Sequence, residues 1–240
     1  MRHLFRNLML VSGVVFVLAQ FSYGQVEILR TLQEQVDPKV AALLVIDMQN
    51  DYVADQGKLG KIGLNVKLIQ ETVPKINRLV EEARKAGVAV IWIRTTHTLK
   101  DALPNYLAYH IVIRSGKQIR DEDLICRPNH WASEYYEKLV KPAPGEIEMT
   151  KHWYGAFQDT TLDLLLKAAN KKTIICTGTT SDVCVYNTAL QGLHKGYYTL
   201  MVSDCTSTTD PAIHDTILKL YKTYYGWVPS SDEIINLWKK

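Results

Sequence analysis

The sequence lacks several features that would assign a protein to a functional class at once. Its 240 residues contain no repeat, no low-complexity tract and no interdomain linker, so we expect one domain with a sizeable core. Neither glycine-rich phosphate loop, G-x-G-x-x-G or G-x-x-x-x-G-K, is present. There is also no basic stripe, no aromatic residue interleaved among lysines and arginines, and a formal net charge of only +3. Nucleic acid is therefore not an expected partner.

The amino-terminal segment has the pattern of a secretory signal peptide. Basic residues precede an apolar run at 8–19, and the small residues Ser22 and Gly24 suit cleavage after Gly24. The run is short for a membrane span, and no cysteine directly follows it to carry a lipid. An uncleaved membrane anchor is the alternative. We expect a signal peptide over 1–24, a mature domain over 25–240, no stable membrane anchor, and a periplasmic or secreted location.

Cysteine is scarce, with four residues in the chain: Cys126, Cys176, Cys184 and Cys205. An even number of cysteines in an exported protein raises the question of disulfides. A chain of this size does not need them, however, and Cys176 and Cys205 fall in or just after predicted core strands. We therefore expect these two to be buried free thiols, and the state of Cys126 stays open.

The rest of the chain alternates between apolar runs typical of strands and patterns typical of helices. The predicted strands are 41–46, 88–93, 146–149, 172–176, 197–202 and a short edge strand at 227–230. The predicted helices are 66–86, 161–169, 183–194, 210–224 and 231–238. Such alternation implies parallel βαβ units with right-handed crossovers. The predicted fold is α/β, with three layers: a mostly parallel six-stranded Rossmann-like sheet and helices on both of its faces.

Two segments are not expected to contribute to this core. Residues 25–39 form a polar lead-in, and 94–144 is a long mixed stretch with prolines and aromatic residues. Long connections of that kind often carry function. We expect 94–144 to be a lid or substrate loop.

Three ionisable or nucleophilic residues follow predicted strands. Asp47 ends the apolar run 41–46, Lys151 follows the third strand, and Cys184 lies near the start of the helix after the fourth. In the common strand order 3-2-1-4-5-6, the ligand crevice lies between strands 1 and 4, which brings Asp47 and Cys184 together. A helix N-terminus favours a thiolate, so Cys184 is a candidate nucleophile. Taken singly, a buried core cysteine, a loop-capping aspartate and a surface lysine are the alternatives.

The three residues together suit nucleophilic catalysis. A thiol needs a base to accept its proton and a nearby positive charge to stabilise the thiolate, and Asp47 and Lys151 can supply these. Lys151 follows the far edge strand in the order above, so strand order alone does not bring it to the site. Residues that leave a strand in succession point oppositely, so we favour Lys151 over His152 as the one that faces the site.

The chain resembles the isochorismatase-like cysteine hydrolases, which include nicotinamidases, N-carbamoylsarcosine amidases and ureidoacrylate amidohydrolases. The matching segments are Asp47-Met-Gln, Lys151-His-Trp-Tyr-Gly-Ala-Phe and Gly178-Thr-Thr-Ser-Asp-Val-Cys-Val. The resemblance spans about 40–238, with three motifs in the same order as in the family. It implies a hydrolase, commonly oligomeric, that acts on a small amide, ureido or carbamoyl compound through a thioester and needs no cofactor.

The resemblance also implies the site residues. Cys184 would be the nucleophile, Asp47 the general acid/base, and Lys151 the group that orients and stabilises the charged pair. A cis peptide would join Thr179 and Thr180, and the backbone N–H groups of Thr180 and Cys184 would form an oxyanion hole. The residues considered for the substrate pocket are Gln49, His97, Trp153, Tyr154 and Phe157; the three aromatic ones could equally be core, and His97 could cap a loop.

A metal site is not expected. Nicotinamidase-type members carry an Asp-x-His pair after the second strand, where this chain has Thr95-Thr-His97. The acid is missing, and His110 and His130 follow at no ligand-like spacing. Two other functions stay open beside the amidohydrolase. One is an isochorismatase-type vinyl ether hydrolase, which does not depend on a nucleophilic cysteine, and the other is a catalytically silent binding protein on the same fold.

Overall fold

Five parallel strands form a single sheet in the order β3-β2-β1-β4-β5. The computed structural model describes residues 28–108 and 120–239, so the predicted signal peptide lies outside the described residues. The strands are β1 (Ala41–Ile46), β2 (Ala89–Thr95), β3 (Ile147–Lys151), β4 (Thr173–Thr179) and β5 (Tyr198–Ser207). This order confirms the predicted switch point between β1 and β4, where the connections diverge to opposite sides.

The prediction of a sixth strand is wrong. The segment after β5 forms an isolated parallel bridge between Leu200 and Trp227 rather than a strand. The carbonyls of Trp227 and Pro229 accept hydrogen bonds from Met201 and Ser203, but Pro229 has no N–H to donate in return. A proline therefore limits pairing at this edge to a single bridge.

Helices cover both faces of the sheet. The longer ones are α5 (Val73–Ala86), α7 (Leu162–Ala168), α8 (Tyr186–His194), α9 (Pro211–Tyr224) and α10 (Ser231–Trp238). The remaining helices are single turns: α1 (Leu32–Gln35), α2 (Asn50–Val53), α3 (Lys58–Lys61), α4 (Lys67–Gln70) and α6 (Pro104–Leu107). No helix within the described ranges combines the length and the apolar character needed to span a bilayer.

The helix predicted over 66–86 is two helices, α4 and α5. Pro74 lies in the first turn of α5, where its missing N–H would have no intrahelical partner in any case. Gly87 ends α5 in the left-handed conformation, with φ 76°. That conformation is accessible to glycine without a Cβ clash.

The core lies on both sides of β1, whose six residues are all buried. Leu43 and Val45 pack on the side of α5 and α10, whereas Leu44 and Ile46 pack on the side of α7 and α8. Because successive side chains of a strand point to opposite faces, one unbroken apolar run supplies both layers. The three-layer arrangement predicted from the sequence follows from this double burial.

Two segments predicted to lie outside the core contribute to it. Val36, in the polar lead-in, is 1% exposed, and its carbonyl accepts a hydrogen bond from the Trp238 indole. Cys126 and Leu139, in the long stretch after β2, are also buried in the same core cluster. Their burial depends on contacts with residues far away in sequence, which local composition does not reveal. Residues 109–119 of that stretch lie outside the described residues.

Candidate active site

Asp47 lies immediately after β1 and is fully buried. Its backbone is in the left-handed region, with φ 53°, and its N–H donates to the Ile93 carbonyl of β2 at 2.9 Å. Aspartate is among the few residues besides glycine that adopt this conformation readily. The turn ends the strand and leaves a carboxylate at the carboxyl edge of the sheet.

Lys151, the last residue of β3, reaches Asp47 across the intervening strand β2. Neighbouring strands are about 5 Å apart, so a long side chain is needed to span two of these spacings. The Lys151 Nζ lies 2.7 Å from Asp47 Oδ2 and donates to the Trp153 carbonyl at 2.9 Å, with both ionic side chains fully buried. The His152 ring instead lies 2.8 Å from the Thr96 carbonyl.

Cys184 lies between β4 and α8 in the π-helical turn Ser181–Val185. Its thiol is buried and free, and it lies close enough to the side chains of Asp47 and Lys151 to influence the pKa of both. The structure thus brings together the three residues that the sequence separates by more than 130 positions. Cys126, Cys176 and Cys205 are also buried and free.

Burial controls the ionisation of this trio. It raises the pKa of the Cys184 thiol, and the positive charge of Lys151 offsets only part of that effect. Burial likewise raises the pKa of Asp47 against the opposing pull of Lys151. Burial alone would lower the pKa of Lys151, but the negative charge of Asp47, with a smaller contribution from the neighbouring Cys184, outweighs that effect and the pKa is raised. The unliganded site therefore favours an ammonium, a carboxylate that is a stronger base than usual, and a neutral thiol.

The neutral thiol differs from the expectation that the helix N-terminus would favour a thiolate. Cys184 is only 5% exposed, and removing a negative charge from water costs more than a helix dipole returns. Deprotonation of this thiol thus requires the adjacent base.

The loop before Cys184 begins at a close approach to β1 and continues into a hydrogen-bonded turn. The peptide bond between Thr179 and Thr180 is cis. Gly178 has φ 106°, and a Cβ at this position would lie 2.0 Å from the Ile46 carbonyl oxygen. The Thr180 carbonyl accepts from Val183 N–H at 3.2 Å and Val185 N–H at 3.1 Å. Gly178 therefore lies closely against the end of β1, and the turn after Thr180 is held by its own backbone hydrogen bonds.

A pocket of 380 Å³ is lined by residues that follow Lys151 and Cys184 closely in sequence, although Asp47, Lys151 and Cys184 do not themselves line it. Trp153 and Tyr154 follow Lys151 in sequence, and Asn187 and Gln191 lie three and seven positions after Cys184, on the same face of the helical segment. The remaining lining residues are Leu103, Asn105, Tyr106, Gly155 and Gln158. A larger cavity of 610 Å³ lies near the start of β5, away from the residues that follow Lys151 and Cys184.

Three residues considered for the pocket from the sequence do not line it. Phe157 packs into the core cluster around α7 and α8 and beside Tyr197. The Gln49 side chain bonds to backbone groups of Thr95 and Ser133, so it fixes the loop after β1. His97 is buried and stacks on Tyr106.

The amide side chains that line the pocket were missed from the sequence. Asn187 and Gln191 could have been found, because their helical spacing from Cys184 places them on one face. Tyr106 had no such signal, since it lies in a stretch without periodicity.

Within 28–108 and 120–239, no cluster of three or more histidine, cysteine, aspartate or glutamate residues could hold a metal ion. The ring of His97 lies 3.4 Å from the Thr95 hydroxyl. Thr95 occupies the sequence position of the acid in an Asp-x-His pair.

The chain matches the model of the Isochorismatase domain over residues 41–233. It is 28% identical over 200 residues to the ureidoacrylate amidohydrolase RutB of Methylobacterium radiotolerans, an alignment that covers 80% of this chain and 77% of that protein. A solved cysteine hydrolase from Pseudomonas syringae pv. phaseolicola superposes with a TM-score of 0.74 at 25% identity, covering 85% of this chain and 95% of the other.

A second solved structure is also similar. N-carbamoylsarcosine amidase from Thermoplasma acidophilum superposes with a TM-score of 0.63 at 26% identity, covering 80% of this chain and 97% of the other. The family model spans most of the chain, and the two superpositions cover nearly the whole length of both solved relatives. The chain therefore belongs to the isochorismatase family of hydrolases.

Proposed function

We propose that this protein is a cysteine amidohydrolase that cleaves a C–N bond of a small amide, ureido or carbamoyl compound through a thioester. The observation that carries this proposal is the buried ion pair of Asp47 and Lys151 at the carboxyl edge of the sheet, with the buried Cys184 thiol near enough to influence the pKa of both. In this proposal Cys184 is the nucleophile and Asp47 the general acid/base. Lys151 supplies the positive charge that orients and stabilises them.

The ionisation of the site suits this chemistry. As the Cys184 sulfur attacks the substrate carbonyl carbon, Asp47 accepts the thiol proton, which its raised pKa favours. Asp47 then returns that proton to the leaving nitrogen, and the C–N bond breaks to release ammonia or an amine. Water next attacks the thioester with Asp47 as base, and the thiol is re-formed. Lys151 stays positively charged throughout and stabilises each anionic partner.

The proposed oxyanion hole consists of the backbone N–H groups of Thr180 and Cys184. Both belong to the segment after Gly178, which packs closely against the end of β1, and the Thr180 carbonyl accepts two backbone hydrogen bonds from the same turn. Preorganised donors of this kind are worth about 100-fold or more in rate each.

The pocket supports a small, flat substrate. Its 380 Å³ volume is at the low end for ligand sites. Aromatic side chains of Tyr106, Trp153 and Tyr154 offer stacking surfaces, and the amides of Asn187 and Gln191 can exchange hydrogen bonds with a ureido or carbamoyl group. The names of the relatives, ureidoacrylate amidohydrolase and N-carbamoylsarcosine amidase, favour the same substrate class.

Two other functions are distinguishable by experiment. Vinyl ether hydrolysis of the isochorismatase type would not depend on Cys184, and a catalytically silent binding protein would bind small amides without releasing ammonia. The position of Cys184 beside both ionic partners, where it influences the pKa of each, favours the amidohydrolase over these alternatives.

The test is an ammonia-release screen of the purified mature protein against small amides, ureas and carbamoyl amino acids. We expect Cys184→Ala to abolish turnover of any substrate found, while folding and ligand binding are retained. Cys205→Ala, which removes another buried free thiol, is the matched control and should keep turnover. Wild-type turnover in Cys184→Ala would refute the mechanism.

We also propose that the protein is exported, with cleavage near Gly24, and that it forms a homo-oligomer. The mass of the protein recovered from the periplasm or medium tests the first proposal. Light scattering of the mature protein tests the second.

A further inference from the structure

Ser181 connects the loop that carries the nucleophile to a helix on the outside of the domain. Its side chain is fully buried, and its Oγ lies 2.9 Å from Nδ1 of His214 in α9. The two residues are 33 positions apart. A buried hydroxyl needs such a partner, because an unsatisfied one is costly.

Ser181 also occupies a sensitive position in the loop. It directly follows Thr180 and begins the π-helical turn that contains Cys184. The Thr180 carbonyl accepts hydrogen bonds from the Val183 and Val185 N–H groups, on either side of Cys184, so the backbone of Thr180 is coupled to the turn that contains the nucleophile. A displacement at Ser181 would therefore redirect the Thr180 N–H.

The position of the His214 ring is itself fixed by the start of α9. The Asp210 side chain caps the helix by accepting from Ala212 N–H and Ile213 N–H, and Pro211 occupies the first turn. The His214 N–H donates to the Asp210 carbonyl at 3.0 Å. These contacts fix the first turn of α9, from which the ring reaches Ser181.

Burial keeps the His214 ring neutral at neutral pH. It lowers the pKa of His214, against the opposing influence of Asp215, the Ser203 backbone and Asp182. In either neutral tautomer, Nδ1 can form one hydrogen bond with a hydroxyl group. The contact with Ser181 therefore does not require a charged ring.

We propose that His214 is a positioning residue for the reaction, which acts through Ser181 to hold the backbone between Thr180 and Cys184 in the orientation that the oxyanion requires. This inference rests on the proposed function. His214 does not touch substrate and exchanges no proton with it. Its removal should lower kcat and leave KM largely unchanged. The backbone N–H groups of the loop stabilise the negative charge that develops on the substrate oxygen in the transition state, and they contribute less to binding of the substrate itself.

The test compares kcat and KM for Ser181→Ala, His214→Ala and the double variant, with thermal unfolding to verify that each is folded. We expect each single variant to lose about 10- to 100-fold in kcat, the cost of a small misplacement of catalytic groups. The double variant should lose no more than the worse single one, since the two side chains act as a pair.

His214→Asn is the conservative variant, because its side-chain amide can lie near the position of Nδ1 and hydrogen-bond with Ser181. It should have a higher kcat than His214→Ala. Lys219→Ala, on the exposed side of the same helix, should leave kcat unchanged. Losses that multiply in the double variant, or an unchanged kcat in folded His214→Ala, would overturn the proposal.

A crystal structure of His214→Ala separates this proposal from the proposed function. We expect the backbone of Thr180–Cys184 to shift or to become less ordered. An unmoved loop would overturn the positioning role whatever the turnover. If Cys184→Ala instead kept full activity, the proposed function would fail, and the position of the loop would still decide whether His214 holds it.

Discussion

At the scale of single residues, the site depends on burying two opposite charges beside a neutral thiol. The positions of Asp47 and Cys184 after β1 and β4 were enough to predict that the two residues lie close together, since these strands flank the switch point. The meeting with Lys151 was not derivable from strand order, because β3 lies two strands away and only the length of the lysine side chain closes the gap. The ionisation of Cys184 was also not predictable, since its burial comes from distant residues.

The pH dependence of turnover follows from the raised pKa of Asp47. Asp47 must be ionised to accept the thiol proton, so activity is lost as the pH falls through its pKa. We expect the acid limb of kcat/KM to have its midpoint above the ordinary aspartate value of 3.8. Asp47→Asn should remove turnover at all pH values. A kcat/KM that stays constant down to pH 4 would contradict the assignment of Asp47 as base.

The ion pair of Asp47 and Lys151 predicts a non-additive effect on stability. Lys151→Met leaves a buried carboxylate without its partner and should reduce the free energy of unfolding by about 3–5 kcal/mol. Adding Asp47→Asn removes that carboxylate, so the double variant should be more stable than Lys151→Met alone. Urea unfolding measures both. A double variant destabilised by the sum of the two single effects would contradict a tight pair.

At the scale of secondary structure, the sequence predicted the five core strands because their segments are apolar or, in β3, alternate between apolar and polar residues. The strand order followed from the common arrangement of parallel sheets. The prediction failed where pairing depends on one residue: Pro229 prevents a sixth strand from forming. It also joined α4 and α5, because the apolar periodicity continues across the break between them. Val36 and Cys126 were excluded from the core on local polarity, although long-range contacts bury them.

Gly178 provides a test of how β4 meets the loop of the nucleophile. Gly178→Ala would place a Cβ 2.0 Å from the Ile46 carbonyl oxygen at a φ of 106°, and we expect destabilisation of about 4 kcal/mol or more. Gly145→Ala is the matched control: its φ is 88°, but nothing lies within 4 Å of the added Cβ. It should cost about 1 kcal/mol from backbone conformation alone. Equal losses in thermal unfolding would contradict the close approach.

At the scale of the whole molecule, the proposed catalytic residues all lie at the carboxyl edge of the sheet. The carboxyl ends of β1, β3 and β4 supply Asp47, Lys151 and the loop before Cys184, while α6 and α8 supply the walls of the pocket. The same architecture was predictable from the alternation of strands and helices. The pocket walls were predictable only where helical spacing from Cys184 fixes them, as for Asn187.

The most direct measurement is the mass of peptides from the enzyme, acid-quenched at successive times in a single turnover of a substrate found by the ammonia screen. The account predicts that the peptide containing Cys184 gains the mass of the substrate acyl group and loses it as product forms. An acyl group on another residue, or product formation with Cys184 unmodified at every time point, would contradict it.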